Sequence, residues 1–160
     1  MPFQRGDARP VNVPFALAKS VAEDDLIAID SSGDGYKASE ETWNTDLATT
    51  RAAFVTKFAG ASAQAKDANG TIPYMSGALA LMLKVDCSGV RSYAAKAGTY
   101  KVGDFIGPAK QSGNLLEDKT IEVVASAAQA IGKYVGAPGT LAAGAMAEVE
   151  ILSTVLPAGR

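Results

Sequence analysis

The chain has 160 residues, 48 % of them apolar and 20 % charged, a size and composition that support a core without disulfide or metal staples and argue against a disordered or membrane-embedded chain. Its 15 basic and 17 acidic residues are spread along the chain and form no cationic stripe for neutralising phosphates, so no nucleic-acid partner is expected. Histidine is absent, which removes the commonest general base and the commonest metal ligand together.

Met1 to Pro14 carries Pro2, Pro10 and Pro14 among Gln4, Arg5, Arg9 and Asn12. Proline fixes φ and cannot donate to a ladder, so this stretch is expected as an extended, irregular N-terminal arm reaching roughly 40 Å at ~3.3 Å per residue. Residues 15–160 are expected to form a single β-rich domain. The first residues lack the apolar run of a signal peptide, and no later stretch approaches ~18 uninterrupted apolar residues. No membrane partner is expected, and synthesis in a cytoplasm is.

Leu26-Ile27-Ala28-Ile29, the turn residues Ser31-Ser32-Gly33-Asp34-Gly35 and the returning Tyr36-Lys37-Ala38 read as a hairpin. Trp43, Leu47, Phe54 and Phe58 then recur at helical spacing. Ser39 is placed to cap, Glu40 and Glu41 to fill the first turn and Lys57 the last, which gives one helix from about Glu40 to Lys57 with Trp43, Phe54 and Phe58 in the core. Beyond it, short runs punctuated by Gly, Pro, Thr and Ser read as strands near Phe58–Ser62, Leu79–Asp86, Asp104–Ala109, Ile121–Ala125, Ile131–Val135 and Met146–Val155. Leu79, Leu81, Leu83 and Val85 share one face of their strand, and Val149, Ile151 and Val155 one face of theirs.

A weak internal repeat runs through this pattern. Lys57-Phe58-Ala59-Gly60-Ala61 resembles Lys133-Tyr134-Val135-Gly136-Ala137, and Asp25-Leu26-Ile27 with Ser32-Gly33 resembles Asp104-Phe105-Ile106 with Ser112-Gly113. The fold class expected is mainly β: a β-sandwich or barrel of two similar halves, the first carrying the inserted helix.

Several short motifs carry less than they spell. Asp30, Ser32, Asp34, Gly35 and Glu41 match the spacing of a calcium loop, but Lys37 stands where an apolar residue belongs and the entering segment reads as strand, so a hairpin turn is expected and no metal. Arg5-Gly6-Asp7 is a polar turn in the arm. The stretches Gly98–Gly103 and Gly136–Gly139 lack the strand-to-helix setting that cradles phosphate. Cys87 has no second thiol and reads as an ordinary thiol at a strand end. No Ser-x-x-Lys opens a convincing helix, and the pairs Asp24-Asp25 and Glu40-Glu41 point their members to different faces. No catalytic residues, cofactor or enzyme activity are expected.

Asp25-Leu-Ile-Ala-Ile-Asp with its glycine-containing hairpin, Trp43-Asn-Thr-Asp46-Leu running into Phe54-Val-Thr-Lys-Phe-Ala-Gly60, Val102-Gly-Asp-Phe-Ile-Gly107, Ala130-Ile-Gly-Lys-Tyr-Val-Gly136 and Ala147-Glu-Val-Glu-Ile-Leu152 together span roughly Asp25 to Val155. In these the chain resembles the small β-rich decoration, or cement, proteins of tailed-bacteriophage heads. The resemblance implies a structural protein on the capsid exterior of the virion, with the major capsid protein and neighbouring copies of itself as partners, a trimer favoured over a dimer. Under it the arm residues Pro2, Phe3, Gln4, Arg5, Arg9, Pro10 and Val11 are the candidate contacts to capsid or neighbour. The alternative from another class is a carbohydrate- or receptor-binding β-module of a phage tail or surface protein.

Overall fold

The structure, a computed structural model, describes residues 10–16, 18–69 and 82–155. In its first half, β1 (Pro10–Pro14), β2 (Leu26–Ile29), β3 (Gly35–Lys37), β4 (Phe58–Ser62) and β5 (Met82–Asp86) form a sheet in the order β1-β5-β4-β2-β3, with the helix α1 (Leu47–Val55) between β3 and β4. Cys87 alone separates β5 from β6 (Ser88–Ala95), and then come β7 (Gly98–Tyr100), β8 (Phe105–Gln111), β9 (Leu115–Val123), β10 (Gly132–Tyr134), β11 (Gly139–Leu141) and β12 (Met146–Leu152). Of these, β10-β12-β6-β9-β8 closes into a barrel, while β7 and β11 make a two-stranded ribbon.

The two halves share one topology. Laying β1, β2, β3, β4 and β5 onto β6, β8, β9, β10 and β12 converts the first strand order into the second. The register agrees residue by residue: Val13 faces Leu83 as Tyr93 faces Ala147, Ile27 faces Lys37 and Gly60 as Ile106 faces Val123 and Gly132, and Ala61 faces Asp86 as Lys133 faces Glu150. The second half closes through the parallel pairs Ala94–Thr120 and Ala95–Ile121, and the first has the parallel bridge Phe15–Gly35 at the equivalent place. Even the β7–β11 ribbon has a counterpart in the antiparallel bridge between Val21 and Lys66. The two similar β-halves expected from the sequence repeat are thus twin barrel-like units of five strands each, the first carrying an inserted helix.

Asp25-Leu26-Ile27 is equivalent to Asp104-Phe105-Ile106, as the sequence match has it, but the other match shifts. Gly60 is equivalent to Gly132, not to Gly136. At both positions the neighbouring strand crosses where a side chain would stand: a Cβ on Gly60 would lie 2.0 Å from the Asp86 carbonyl oxygen, and one on Gly132 would lie 2.1 Å from that of Glu150. Only glycine admits so close a backbone.

The interiors are filled by compensating pairs. Where the first half places Val13 opposite Leu83, the second places Tyr93 opposite Ala147, and where the first bridges Phe15 to Gly35, the second pairs Ala95 with Ile121. Large and small exchange places so that each site stays filled, as close packing requires. Val13, Phe15, Val21, Ile27, Ala59, Leu83 and Val85 make the core of the first half. A larger cluster joins the interior of the second to Leu26, Ala28, Tyr36 and Phe58 of the first and to Phe54 and Val55 of α1. The helix is therefore a wedge between the halves.

The structure departs from the sequence expectations in several places. The helix spans Leu47–Val55, not 40–57: its N-cap is Asp46, whose side chain accepts from Thr49 N, and the preceding Thr45 has a φ of +59°. A left-handed residue followed by a strong cap starts the helix later than the apolar spacing does. Ser39 does not cap α1; its amide and hydroxyl donate to Asp118 at 2.7 and 2.9 Å. Ala38–Glu40 is a single 3₁₀ turn, and Phe58 belongs to β4. Phe54 and Phe58 are buried, whereas Trp43 is half-buried ahead of the helix, with the Lys110 ammonium 5.1 Å from its ring centre. The expected strand at 121–125 is the end of the longer β9, Val155 lies beyond β12 and is exposed, and Leu79 and Leu81 lie outside the described residues. The last residues of the expected irregular arm, Pro10–Pro14, are a strand paired with Met82–Asp86, and Val13 is buried in the first half.

Candidate functional site

Of the candidate contact residues, Pro2, Phe3, Gln4, Arg5 and Arg9 lie outside the described residues, while Pro10 and Val11 open β1. Ala63 N donates to Lys84 O on the β4 side of β5. Backbone groups alternate along a strand, so Leu83 and Val85 turn theirs toward β1, where they meet Val13 and Val11. Pro10, Asn12 and Pro14 therefore face away from β5, and the prolines leave Asn12 as the donor on that outer edge. At its far end this same side of β1 meets β3 through the parallel bridge Phe15–Gly35, so only the stretch around Asn12 is left as an edge.

The calcium-like spacing resolves into separate jobs. Asp30 Oδ1 accepts from Ser32 N at 2.8 Å and Asp34 N at 3.0 Å, tying the β2–β3 turn, whose Gly33 has a φ of +87°. Hydrogen bonding of this kind is a turn device. Glu41 is buried with partners of its own: it accepts from the Tyr36 hydroxyl and pairs with the Lys57 ammonium at 2.9 Å. Burial first, and then the Glu41 carboxylate, push the Tyr36 phenol far above its ordinary pKa. Together with Lys19 and Glu40 these groups line a polar recess of about 410 Å³. Glu40 in turn holds the Lys19 ammonium at 2.7 Å and accepts from Lys37 N at 2.9 Å. In this lining Lys19 pairs with Glu40 and Lys57 with Glu41, while Asp30 is engaged by the backbone amides of its own turn.

Three polar links cross the waist between the halves. Arg91 of β6 pairs with Asp24 at 3.1 Å and with Asp86. Arg51 of α1 donates from Nε to Pro108 O at 2.7 Å and pairs with Glu122. Asp118 of β9 accepts from Ser39 and lies 3.9 Å from the Lys37 ammonium. Nearby, Asp25 is buried, with Oδ2 accepting from Ala22 N at 2.8 Å. Desolvation raises its pKa, Asp118 adds to the rise, and the Ala22 bond, Lys37 and Lys119 oppose it. The Tyr93 hydroxyl is buried without a hydrogen-bond partner among the described residues, and burial, then Asp24, raise its pKa. Cys87 is fully buried, and that burial likewise raises its thiol pKa.

The outer face of the β6–β12 ladder is of another kind. Side chains alternate across these strands, so Gly89, Tyr93, Ala147, Val149 and Ile151 are buried while Val90, Ser92, Met146, Glu148 and Leu152 are exposed. Glu150 stands opposite Val90, Glu148 opposite Ser92, and Leu152 opposite Ser88. The sequence expectations include no strand at β6, so this face goes unseen in them. Its signal is the alternation of Gly89, Arg91, Tyr93 and Ala95 with Val90, Ser92 and Ala94, too poor in large apolar residues to stand out. No protein-family model matches the chain, and no curated protein matches it in sequence.

Proposed function

We propose that this chain is a structural protein that binds the outer surface of an assembled tailed-phage head, as its likeness to the head-decoration proteins implies. The observation that supports the reading is the build: twin barrel-like units run into each other where β5 continues into β6, and they share a core across α1. A binder repeated over a lattice gains avidity when each copy holds its contacts in a fixed relation, and a body joined in this way does so. The partners under this reading are the major capsid protein and neighbouring copies of the chain, with a trimer favoured.

Co-sedimentation of the purified protein with expanded phage capsids tests it. Stoichiometric, saturable attachment is the expected result. Absence of attachment, combined with retention on a glycan array, would instead make the chain a carbohydrate-binding module.

A further inference from the structure

We propose that the outer face of the β6–β12 ladder is the docking surface for the chain's own N-terminal segment, residues 1–9. The face is apolar and acidic: Val90 is 47 %, Met146 61 % and Leu152 58 % exposed, and Glu148 and Glu150 stand between them. Among the described residues the ion pairs involve neither glutamate, and Lys133 of β10, which stands opposite Glu150, has its ammonium over the Phe105 ring at 5.6 Å. The segment Met1-Pro2-Phe3-Gln4-Arg5-Gly6-Asp7-Ala8-Arg9 has the complementary chemistry, with Met1 and Phe3 for the apolar positions and Arg5 for the carboxylates.

The topology directs the segment there. Val85 turns its backbone toward Val11 of β1, and Cys87 O, two residues on, accepts from Ser153 N. Alternation therefore sets β1 and the end of β12 on the same side of the continuous β5–β6 strand, end to end. The in-plane path leading back from Pro10 is already taken by Ser153, and the inner face of the ladder is filled by Tyr93, Ala147, Val149 and Ile151. The outer face is the open route.

Length and spacing agree. Pro10 stands level with Asp86, about 26 Å before the Ala94–Met146 pair at ~3.3 Å per residue. An extended chain from Pro10 to Phe3 covers about 23 Å, which brings the Phe3 ring to Met146. On the way Arg5 passes between the levels of Glu150 and Glu148, and Gln4 comes level with Ser92. A segment tethered beside its own docking face has a high effective concentration there, so it outcompetes the same segment of a second copy in dilute solution.

The test is a disulfide trap, and Cys87 does not interfere because it is fully buried. In Gln4→Cys/Ser92→Cys, mild oxidation of dilute protein is expected to close an intramolecular disulfide about ten-fold faster than in Gln4→Cys/Lys110→Cys, an advantage that effective concentration supplies. Lys110 is exposed on β8, which stands across the barrel from β6 and β12 in the strand order, and serves as the distant control. Adding Glu148→Lys and Glu150→Lys to the first pair should slow closure, and adding Arg5→Glu to that variant should restore it. Equal rates in the two cysteine pairs, or cross-linked dimers in place of closed monomers, would overturn the proposal. Capsids take no part in the measurement, so its failure leaves the proposed function standing.

Discussion

Replacing Gly132 with alanine would place a methyl group 2.1 Å from the Glu150 carbonyl oxygen, 2.8 Å from its carbonyl carbon and 2.9 Å from Ile151 Cα. All three are backbone atoms of the paired strand, so no side chain can swing away and β10 must part from β12. Overpacking of this kind costs about 1–3 kcal/mol. The separation also weakens ladder bonds such as Leu152 N to Ile131 O at 3.0 Å, each worth about 1 kcal/mol net. The sum is a loss of about 3–4 kcal/mol, which at a urea slope of about 2 kcal/mol per molar lowers the unfolding midpoint by roughly 2 M. Gly113→Ala is the control: Gly113 has a φ of +83° but no heavy atom within 4 Å of the added Cβ, so the variant bears only the backbone penalty of about 1 kcal/mol. Urea denaturation of both variants decides the matter. If Gly132→Ala loses no more than Gly113→Ala, the close crossing of β10 and β12 is wrong, and with it the equivalence of Gly60 and Gly132.

Tyr93→Phe removes a buried hydroxyl that has no partner among the described residues and should leave stability unchanged or raise it by up to about 1 kcal/mol; a comparable loss in urea would show that the hydroxyl is bonded. Asp25→Asn should raise the melting temperature at pH 7, because the raised pKa means the folded state prefers the neutral carboxyl. The folded protein then binds the proton more tightly than the unfolded chain, so wild-type stability falls as pH rises from the ordinary carboxylate value through the folded one, and the advantage of the asparagine should shrink on acidification. Calorimetry between the acid range and neutrality tests this, and a variant less stable than wild type at pH 7 contradicts it. Deleting residues 2–9 should leave the fold intact, whereas deleting residues 2–12 also removes the pairs of Pro10, Val11 and Asn12 with β5 and should cost about 2 kcal/mol or more; equal melting temperatures for the two truncations would mean that this part of β1 contributes nothing.

The parts of the fold legible in the sequence are those with a strong local signal. Asp30, Gly33 and the flanking apolar runs announce the hairpin, and β4, β8 and β12 stand out as short runs bounded by turns. The repeat is visible too, but the likeness of Lys133-Tyr134 to Lys57-Phe58 draws its alignment to Gly136. The true correspondence, Gly60 with Gly132, depends on a strand that crosses nearby, and no local match records a crossing. Apolar spacing overshoots the helix at both ends: Trp43 and Phe58 continue the rhythm of Leu47 and Phe54, although Thr45 and Asp46 interrupt the backbone before it and Phe58 has already entered a sheet. Pro10 and Pro14 hide β1, since proline argues against a strand unless its nitrogen faces an outer edge. Glu41 looks in sequence like a helix or loop residue, and only the folded chain brings Tyr36 and Lys57 to it. The outer face of the second barrel is hidden for the same reason, because its two strands lie more than fifty residues apart.

Pro10 lies opposite Asp86, and Ser153 N donates to Cys87 O at 2.8 Å. The described chain therefore sets out from, passes through and returns to one place. Each half is a circuit whose entrance adjoins its exit, so a gene copied head to tail needs no new connector: the end of the first copy already stands where the second must begin.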